Sequence, residues 1–463
     1  MGRMVRNARV AAVLVVVAVM CIAALAASRD RGGAPHNTGA AYYDATAAAS
    51  ATSIVVRARA AGDLDGIAAT ASSMGYAIVR RAADPPALEL APPAGVGVER
   101  AVAALAPVAG VAYAEPAYRI RVTDVPAAPL FAKDATYLQT EHAPEAWDIE
   151  TGRASVIVAI LDTGIDVTHP DLQGRIWTNS AEVDGNGVDD DGSGCIDDVH
   201  GCAFIVDPAQ GCGSPSNGDV RDDLGHGTFV SGVVAANGSG GMVGVARGVT
   251  IMPVKVLDCT GGGSSFALAQ GILYAVKNGA SLLNVSLGGP VDSAYIREAV
   301  RVARDTYGVL LVAATGNTGG DVAYPARYPE VLAVGAESAS RPGQRATFSG
   351  AGPEVDVVAI GEGIIGTVPK GACRSFLICA PNDDTHAVGD GTSFAAPQVT
   401  GLVALMLSRN RYLTPDQIIN VVKATADPLP GGEPAGWSGA GRINMLRALT
   451  PQYRLGAPGT TRG

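Results

Sequence analysis

The chain has 463 residues and a formal net charge of −10, with 48% hydrophobic and only 17% charged side chains. That composition suits a compact globular protein and excludes a disordered or fibrous one. An acidic chain with neither a Lys/Arg run nor interleaved basic and aromatic residues has nothing to grip a phosphate backbone, so nucleic acid is not expected as a partner.

The N-terminus reads as an address. Arg3, Arg6 and Arg9 precede an uncharged stretch, Val10–Ala27, that contains the small-residue pattern Ala24-Leu25-Ala26. Residues 1–27 are therefore an export signal, with a retained membrane anchor as the alternative, since the run lies between a long signal and a short span. Residues 28–50 are an Ala/Gly-rich loose segment. From 51 to 121 the patterning predicts strands at Ser53–Val56, Ala77–Val79, Ala87–Leu90 and Gly110–Tyr113, with helices at Leu64–Gly75 and Val98–Leu105. This β-α-β-β-α-β order is that of a small α+β, ferredoxin-like unit.

Residues 122–128, with Val125-Pro126-Ala127-Ala128, form a linker. Beyond it, residues 129–450 alternate helical segments with short apolar runs at Val156–Leu161, Ile251–Val256, Leu282–Val285, Val309–Ala313, Val331–Val334 and Val355–Ala359. Such runs read as strands buried on both faces, so the fold class is α/β, a doubly wound, mainly parallel sheet. Residues 451–463 are a C-terminal tail. Apart from Cys21 in the leader the cysteines are Cys195, Cys202, Cys212, Cys259, Cys373 and Cys379. An even set in an exported chain favours disulfides, and Cys373 with Cys379 and Cys202 with Cys212 would close short loops. No C-x-x-C pair or H-x-x-x-H spacing points to zinc.

Candidate chemistry stands at strand ends and helix starts. Asp162 directly follows the apolar strand Val156–Leu161, where a shielded carboxylate can orient a histidine, although a turn Asp has the same signature. His226 lies between Gly225 and Gly227 at the start of an apolar helix. Ser393, in Gly391-Thr392-Ser393-Phe394-Ala395-Ala396-Pro397, opens a long apolar segment reaching about Ser408. A hydroxyl there gains from the positive end of the helix, or simply caps it. Asn317, after the strand Val309–Val312, is an amide donor or a turn residue. Taken together, the order Asp…His…Ser separates the chain from the His…Asp…Ser and Ser…Asp…His arrangements of other serine hydrolases.

These residues resemble the active-site signatures of the subtilisin-like peptidase family: Asp162-Thr163-Gly164, Gly225-His226-Gly227-Thr228 and Gly391–Pro397, with Asn317 at the place of the oxyanion-hole amide. The resemblance runs from about Pro129 to Leu449 and includes His169-Pro170-Asp171-Leu172 and Gly439–Asn444. It implies a subtilisin-like fold and a secreted, monomeric serine endopeptidase acting on proteins and peptides without a catalytic cofactor. Ser393 would be nucleophile, His226 base and Asp162 its orienter, with His169 a lesser rival to His226. Residues 51–121 resemble the family's inhibitory propeptide, so the chain's own N-terminal unit would block the cleft until cut within 122–128. Ser286-Leu287-Gly288 and Gly261-Gly262-Gly263 resemble the segments that flank a bound peptide. A P1 pocket would be walled by Ser286–Gly288 and Ala314-Thr315-Gly316, with Ala323 at its base. No acid is placed there to select Lys or Arg, so an apolar or aromatic P1 residue is expected.

The acidic stretch Asp184–Asp198 contains Asp189, Asp191, Ser193, Cys195 and Asp197 at the spacing of the first part of an EF-hand loop, with His200 where that loop carries Glu. It is either a solvated turn or a structural Ca2+ site. A binding protein that has kept the fold, and an esterase using the same three residues, are the alternative functions.

Overall fold

The computed structural model describes residues 42–43, 53–83, 86–116, 120–121, 135–205, 217–372, 377–379, 383–430 and 436–450. The segments expected to be the export signal (1–27), the processing region (122–128) and the tail (451–463) lie outside these. The chain divides into two units, 1–123 and 124–463.

In the first unit, β1 (Ile54–Ala58), α1 (Leu64–Ser73), β2 (Ala77–Ala83), β3 (Pro86–Ala91), α2 (Val98–Leu105) and β4 (Val111–Pro116) follow the expected order. The strands form one antiparallel sheet in the order β2-β3-β1-β4. Alternate residues of β1 (Ile54, Val56, Ala58) and of β3 (Leu88, Leu90) face Ile67, Ala71, Ala101 and Leu105 of the two helices. The period-2 pattern of the strands and the 3.6 period of the helices thus close a small core by themselves.

The second unit is built on β5 (Ile157–Asp162), β6 (Cys202–Ala203), α3 (His226–Ala235), β7 (Thr250–Lys255), α4 (Ser265–Lys277), β8 (Leu282–Val285), α5 (Ala294–Arg301), β9 (Leu310–Ala314), β10 (Leu332–Glu337) and β11 (Val357–Ile360). The seven strands are parallel, in the order β11-β10-β9-β8-β5-β7-β6. Val158 and Ile160 of β5 face a core shared with α3 and with α6 (Thr392–Arg409), whereas Ala159 and Leu161 face one shared with α4 and α5. Burial on both faces is why these strands read as continuous apolar runs. The hairpin-like sheet of β12 (Ile364–Thr367), β13 (Ile378–Cys379) and β14 (His386–Gly389) leads into α6. The six strands expected from the sequence are present; the short edge strand β6 and the β12–β14 sheet were not foreseen.

One disulfide expectation is corrected. Cys202 pairs with Cys195, not Cys212, because the turn between them brings their Cα atoms to 6.1 Å. Cys259 and Cys379 are also disulfide-bonded, while Cys212 and Cys373 lie outside the described residues. Among the described residues no helix is long and apolar enough to cross a membrane.

Candidate active site

Parallel strands deliver their C-terminal ends to one edge of the sheet, where side chains from distant parts of the chain meet. Asp162 ends β5 there, fully buried, and His226 opens α3. Their contact depends on glycine. A Cβ on Gly227 would stand 2.1 Å from the Gly164 carbonyl oxygen, and Gly225 takes a φ of 99° at the helix cap. With that space open, His226 Nδ1 donates to Asp162 Oδ1 at 2.7 Å, and Oδ1 also accepts from Thr163 N at 2.8 Å. A carboxylate on Nδ1 fixes the proton there and leaves Nε2 as the basic nitrogen. Burial pulls the His226 imidazole down, but Asp162, and with it Asp222, outweighs burial and holds the group above its ordinary value.

Asp222, which the sequence reading passed over, joins the two segments. Its Oδ1 accepts from Thr163 Oγ1 at 2.7 Å and Gly225 N at 2.8 Å; its Oδ2 accepts from Thr228 N at 2.8 Å and Thr228 Oγ1 at 2.6 Å. Gly227 N in turn donates to Thr163 Oγ1 at 2.9 Å. An acid just ahead of Gly225-His226 was the only sequence signal for it.

Ser393 sits in the first turn of α6, whose cap is Gly391, so it is not the capping residue. Its hydroxyl donates to the Ser286 carbonyl at 3.0 Å, and the ring of the next residue, Phe394, lies 5.5 Å from that of His226. Asn317 Oδ1 accepts from both Thr392 N and Thr392 Oγ1 at 2.8 Å, which turns the Nδ2 donor outward. A Cβ on Gly391 would lie 3.4 Å from that Nδ2, so glycine leaves its front clear. His169 is fully engaged elsewhere: Nδ1 accepts from Asp171 N at 3.1 Å and Nε2 donates to Thr385 O at 3.0 Å, while burial pulls its pKa down. The geometry therefore sets His169 apart from Asp162 and favours His226.

The expected pocket residues come together. Cβ positions on Gly288 and Gly316 would each meet Ala323 Cβ at 3.2 Å, and Ala323 N donates to Thr315 O, next to Ala314 at the end of β9. Gly261 and Gly263 line a cavity of about 330 Å3 with Leu287, Gly288, Leu268 and Tyr324. Gly262 does not line it; it exchanges hydrogen bonds with Asp258 instead.

The acidic loop is arranged differently from an EF-hand spacing. Asp189 and Asp191 meet Glu182, with one oxygen from each within 4.8 Å of the others. Two oxygens on opposite sides of a Ca2+ ion stand about that far apart. Glu182 is 9% exposed, and its Oε2 has no hydrogen-bond partner among the described residues. Burial lifts the neighbouring Asp198 carboxyl above its ordinary range, and Asp191 and Glu182 push the same way. A hard cation fits this donor set. Asp197 instead accepts from Asn186 N and Gly187 N, the Ser193 hydroxyl turns to Asp198, and the Cys195 sulfur is in the disulfide.

Comparison with known proteins bears on these features. Residues 153–442 match the peptidase family described as the subtilase family. The chain is similar to Subtilisin E of Bacillus subtilis (strain 168), 35% identical over 301 residues, which is 64% of this chain and 66% of that protein. It is likewise 35% identical to Subtilisin of Bacillus pumilus over 301 residues, covering 64% of this chain and 91% of that protein. With Subtilisin Savinase of Lederbergia lenta it shares 37% identity over 289 residues, 62% of this chain and 89% of that protein.

An NMR titration should find the His226 imidazole above the ordinary value of 6.5. In Asp162→Asn, where burial remains and only the weaker attraction of Asp222 is left, the imidazole should titrate lower than in the unaltered protein. An unchanged titration in the variant would contradict the electrostatic account of the pair.

Proposed function

The chain belongs to the subtilase family, and we propose that it is a secreted serine endopeptidase that cleaves peptide bonds through an acyl-enzyme on Ser393. The observation that carries this reading is the 2.7 Å bond from His226 Nδ1 to buried Asp162, which makes Nε2 a base. In the proposed cycle the Ser393 hydroxyl exchanges the Ser286 carbonyl for His226 Nε2 as its acceptor. It loses its proton there as it attacks the substrate carbonyl. Asp162 stabilises the imidazolium, which then protonates the leaving amine, and water releases the acyl group by the same route. Asn317 Nδ2 and Ser393 N, at the positive end of α6, would hold the oxyanion.

The substrate would lie extended between 261–263 and 286–288, gripped mainly through its backbone. Gly288, Gly316 and Ala323 offer small apolar walls, and the adjoining cavity is lined mainly by apolar side chains. An apolar or aromatic P1 residue follows. Residues 51–121 would serve as the inhibitory propeptide, removed by cleavage within 122–128 after export, leaving a monomeric mature enzyme. Catalysis needs no cofactor in this scheme, and Glu182, Asp189 and Asp191 would hold a structural Ca2+.

Asn317→Ala should lower kcat about 10²–10³-fold, roughly 2.7–4 kcal/mol of transition-state stabilisation, with KM nearly unchanged. Steady-state kinetics on a peptide substrate checks this, and full activity in the variant would remove Asn317 from the role. For the cation, EDTA should lower Tm by on the order of 5 °C, as expected for loss of a ligand held well above its Kd. Glu182→Gln should abolish that sensitivity. Equal Tm with and without EDTA in the unaltered protein would dismiss the ion.

A further inference from the structure

A second charged cluster stands on the strand that leads to the Ser393 turn, and nothing in the proposed cycle uses it. His386 begins β14, the strand that runs into the Gly391-Thr392-Ser393 turn, and is 1% exposed. Its Nε2 lies 2.7 Å from Asp171 Oδ2 and its Nδ1 2.7 Å from Asp383 Oδ2. Thr385 Oγ1 is also 3.1 Å from Nδ1. Ionised carboxylates only accept, so an imidazole between two of them carries a proton on each nitrogen. Burial works against that charge, yet the two carboxylates outweigh it and raise the His386 pKa. Both aspartates are in turn held below their ordinary range: burial opposes their charge, and His386 together with backbone amides overcomes it. A further titratable neighbour, His169, packs edge-on at 5.4 Å; burial pulls its pKa down, and its Nδ1 accepts from Asp171 N.

Asp171 is where three segments meet. It follows the turn that leaves β5 and Asp162. Its side chain accepts from Gly240 N and Met242 N, and its carbonyl accepts from Asn237 N, all in the loop that leaves the C-terminal end of α3, the helix that His226 opens. A Cβ on Gly240 would come within 2.9 Å of that carboxylate, so the loop is fitted to it. The third segment is 383–386, joined through His386 and through the His169–Thr385 bond.

We propose that His386, as a buried imidazolium clamped between Asp171 and Asp383, is a positioning residue that sets the Ser393 strand in register with the segments carrying Asp162 and His226. The inference rests on the serine endopeptidase reading above. A cluster serving stability alone would, when weakened, lower the melting point and leave kcat of the folded enzyme unchanged. A positioning clamp acts on the reacting geometry, where small displacements are costly.

The test uses the mature protein and two substitutions. Asn at 386 places its amide near the former Nδ1 and keeps the Asp383 arm; Gln reaches toward the former Nε2 and keeps the Asp171 arm. Folding is checked by near-UV circular dichroism. His386→Asn should lower kcat at least tenfold with KM within twofold, and His386→Gln should lose clearly less. In the unaltered protein, 15N NMR at pH 7.5 should show both His386 ring nitrogens protonated. A neutral imidazole at that pH overturns the proposal, as does a folded His386→Asn enzyme with kcat within twofold of the original. If that variant does not fold, the NMR result and the kcat of His386→Gln decide: an imidazolium with reduced kcat supports the clamp, and either finding reversed overturns it. An unaltered protein that neither hydrolyses peptides nor takes a fluorophosphonate on Ser393 would instead sink the endopeptidase reading, with the NMR experiment still judging the charge.

Discussion

The site depends on how closely the start of α3 approaches the turn that ends β5. The strand brings Asp162 to the C-terminal edge of the sheet, and only a residue without a Cβ lets the helix come in against it. At Gly227 a Cβ would sit 2.1 Å from Gly164 O and 3.0 Å from Asp162 Cβ. Gly164, with a φ of 105°, turns the chain where a Cβ would strike the carbonyls of Val220 and Arg221. These two glycines place the imidazole within hydrogen-bond reach of a carboxylate that is entirely out of water. Asp222 and Thr163 then close the gap with hydrogen bonds, so the approach is fixed by polar contacts as well as by shape.

Such an arrangement is expensive. Asp162 Oδ2 is buried with no hydrogen-bond partner among the described residues, and a buried unbonded carboxylate oxygen costs stability. The hydrogen bond that His226 Nδ1 donates to Oδ1 offsets part of that cost, and the carboxylate lifts the imidazole pKa in return. The helix α6 is held by its own buried bonds: Thr400 Oγ1 donates to Asn284 Oδ1 in β8, and Gln398 Nε2 to the Ile360 carbonyl. The long helix carrying Ser393 is thereby tied to two strands of the sheet, and the Asp171–His386–Asp383 cluster ties the strand before it to the other two segments.

Much of this was legible in the sequence, for physical reasons. The strands β5, β7, β8, β9, β10 and β11 are mostly apolar runs because both faces are covered. Asp162, His226 and Ser393 stand out because glycine sits beside or near each of them, a mark of close chain approach. What could not be read is what depends on partners far away in sequence. Asp222, one of two adjacent acids, and Glu182 take their meaning from Thr163 and from Asp189 and Asp191 respectively. Cys202 chose Cys195 over Cys212 because of the turn between them. Ser193 and Asp197 have the spacing of cation ligands, but local amides and Asp198 claim them first. His386 lies in a stretch with no periodic signal, and only the fold reveals carboxylates at both of its nitrogens.

The central claim is that Ser393, activated through His226 and Asp162, is the nucleophile of a self-processed peptidase. It is tested most directly by intact-protein and peptide mass spectrometry after exposure to a fluorophosphonate, with Ser393→Ala alongside. The account predicts a chain lacking its N-terminal unit, cut within residues 122–128 and carrying one adduct on Ser393, whereas the variant stays uncut and unlabelled. A folded, unaltered protein that keeps that unit and takes no label, or that is labelled on another residue, would contradict it.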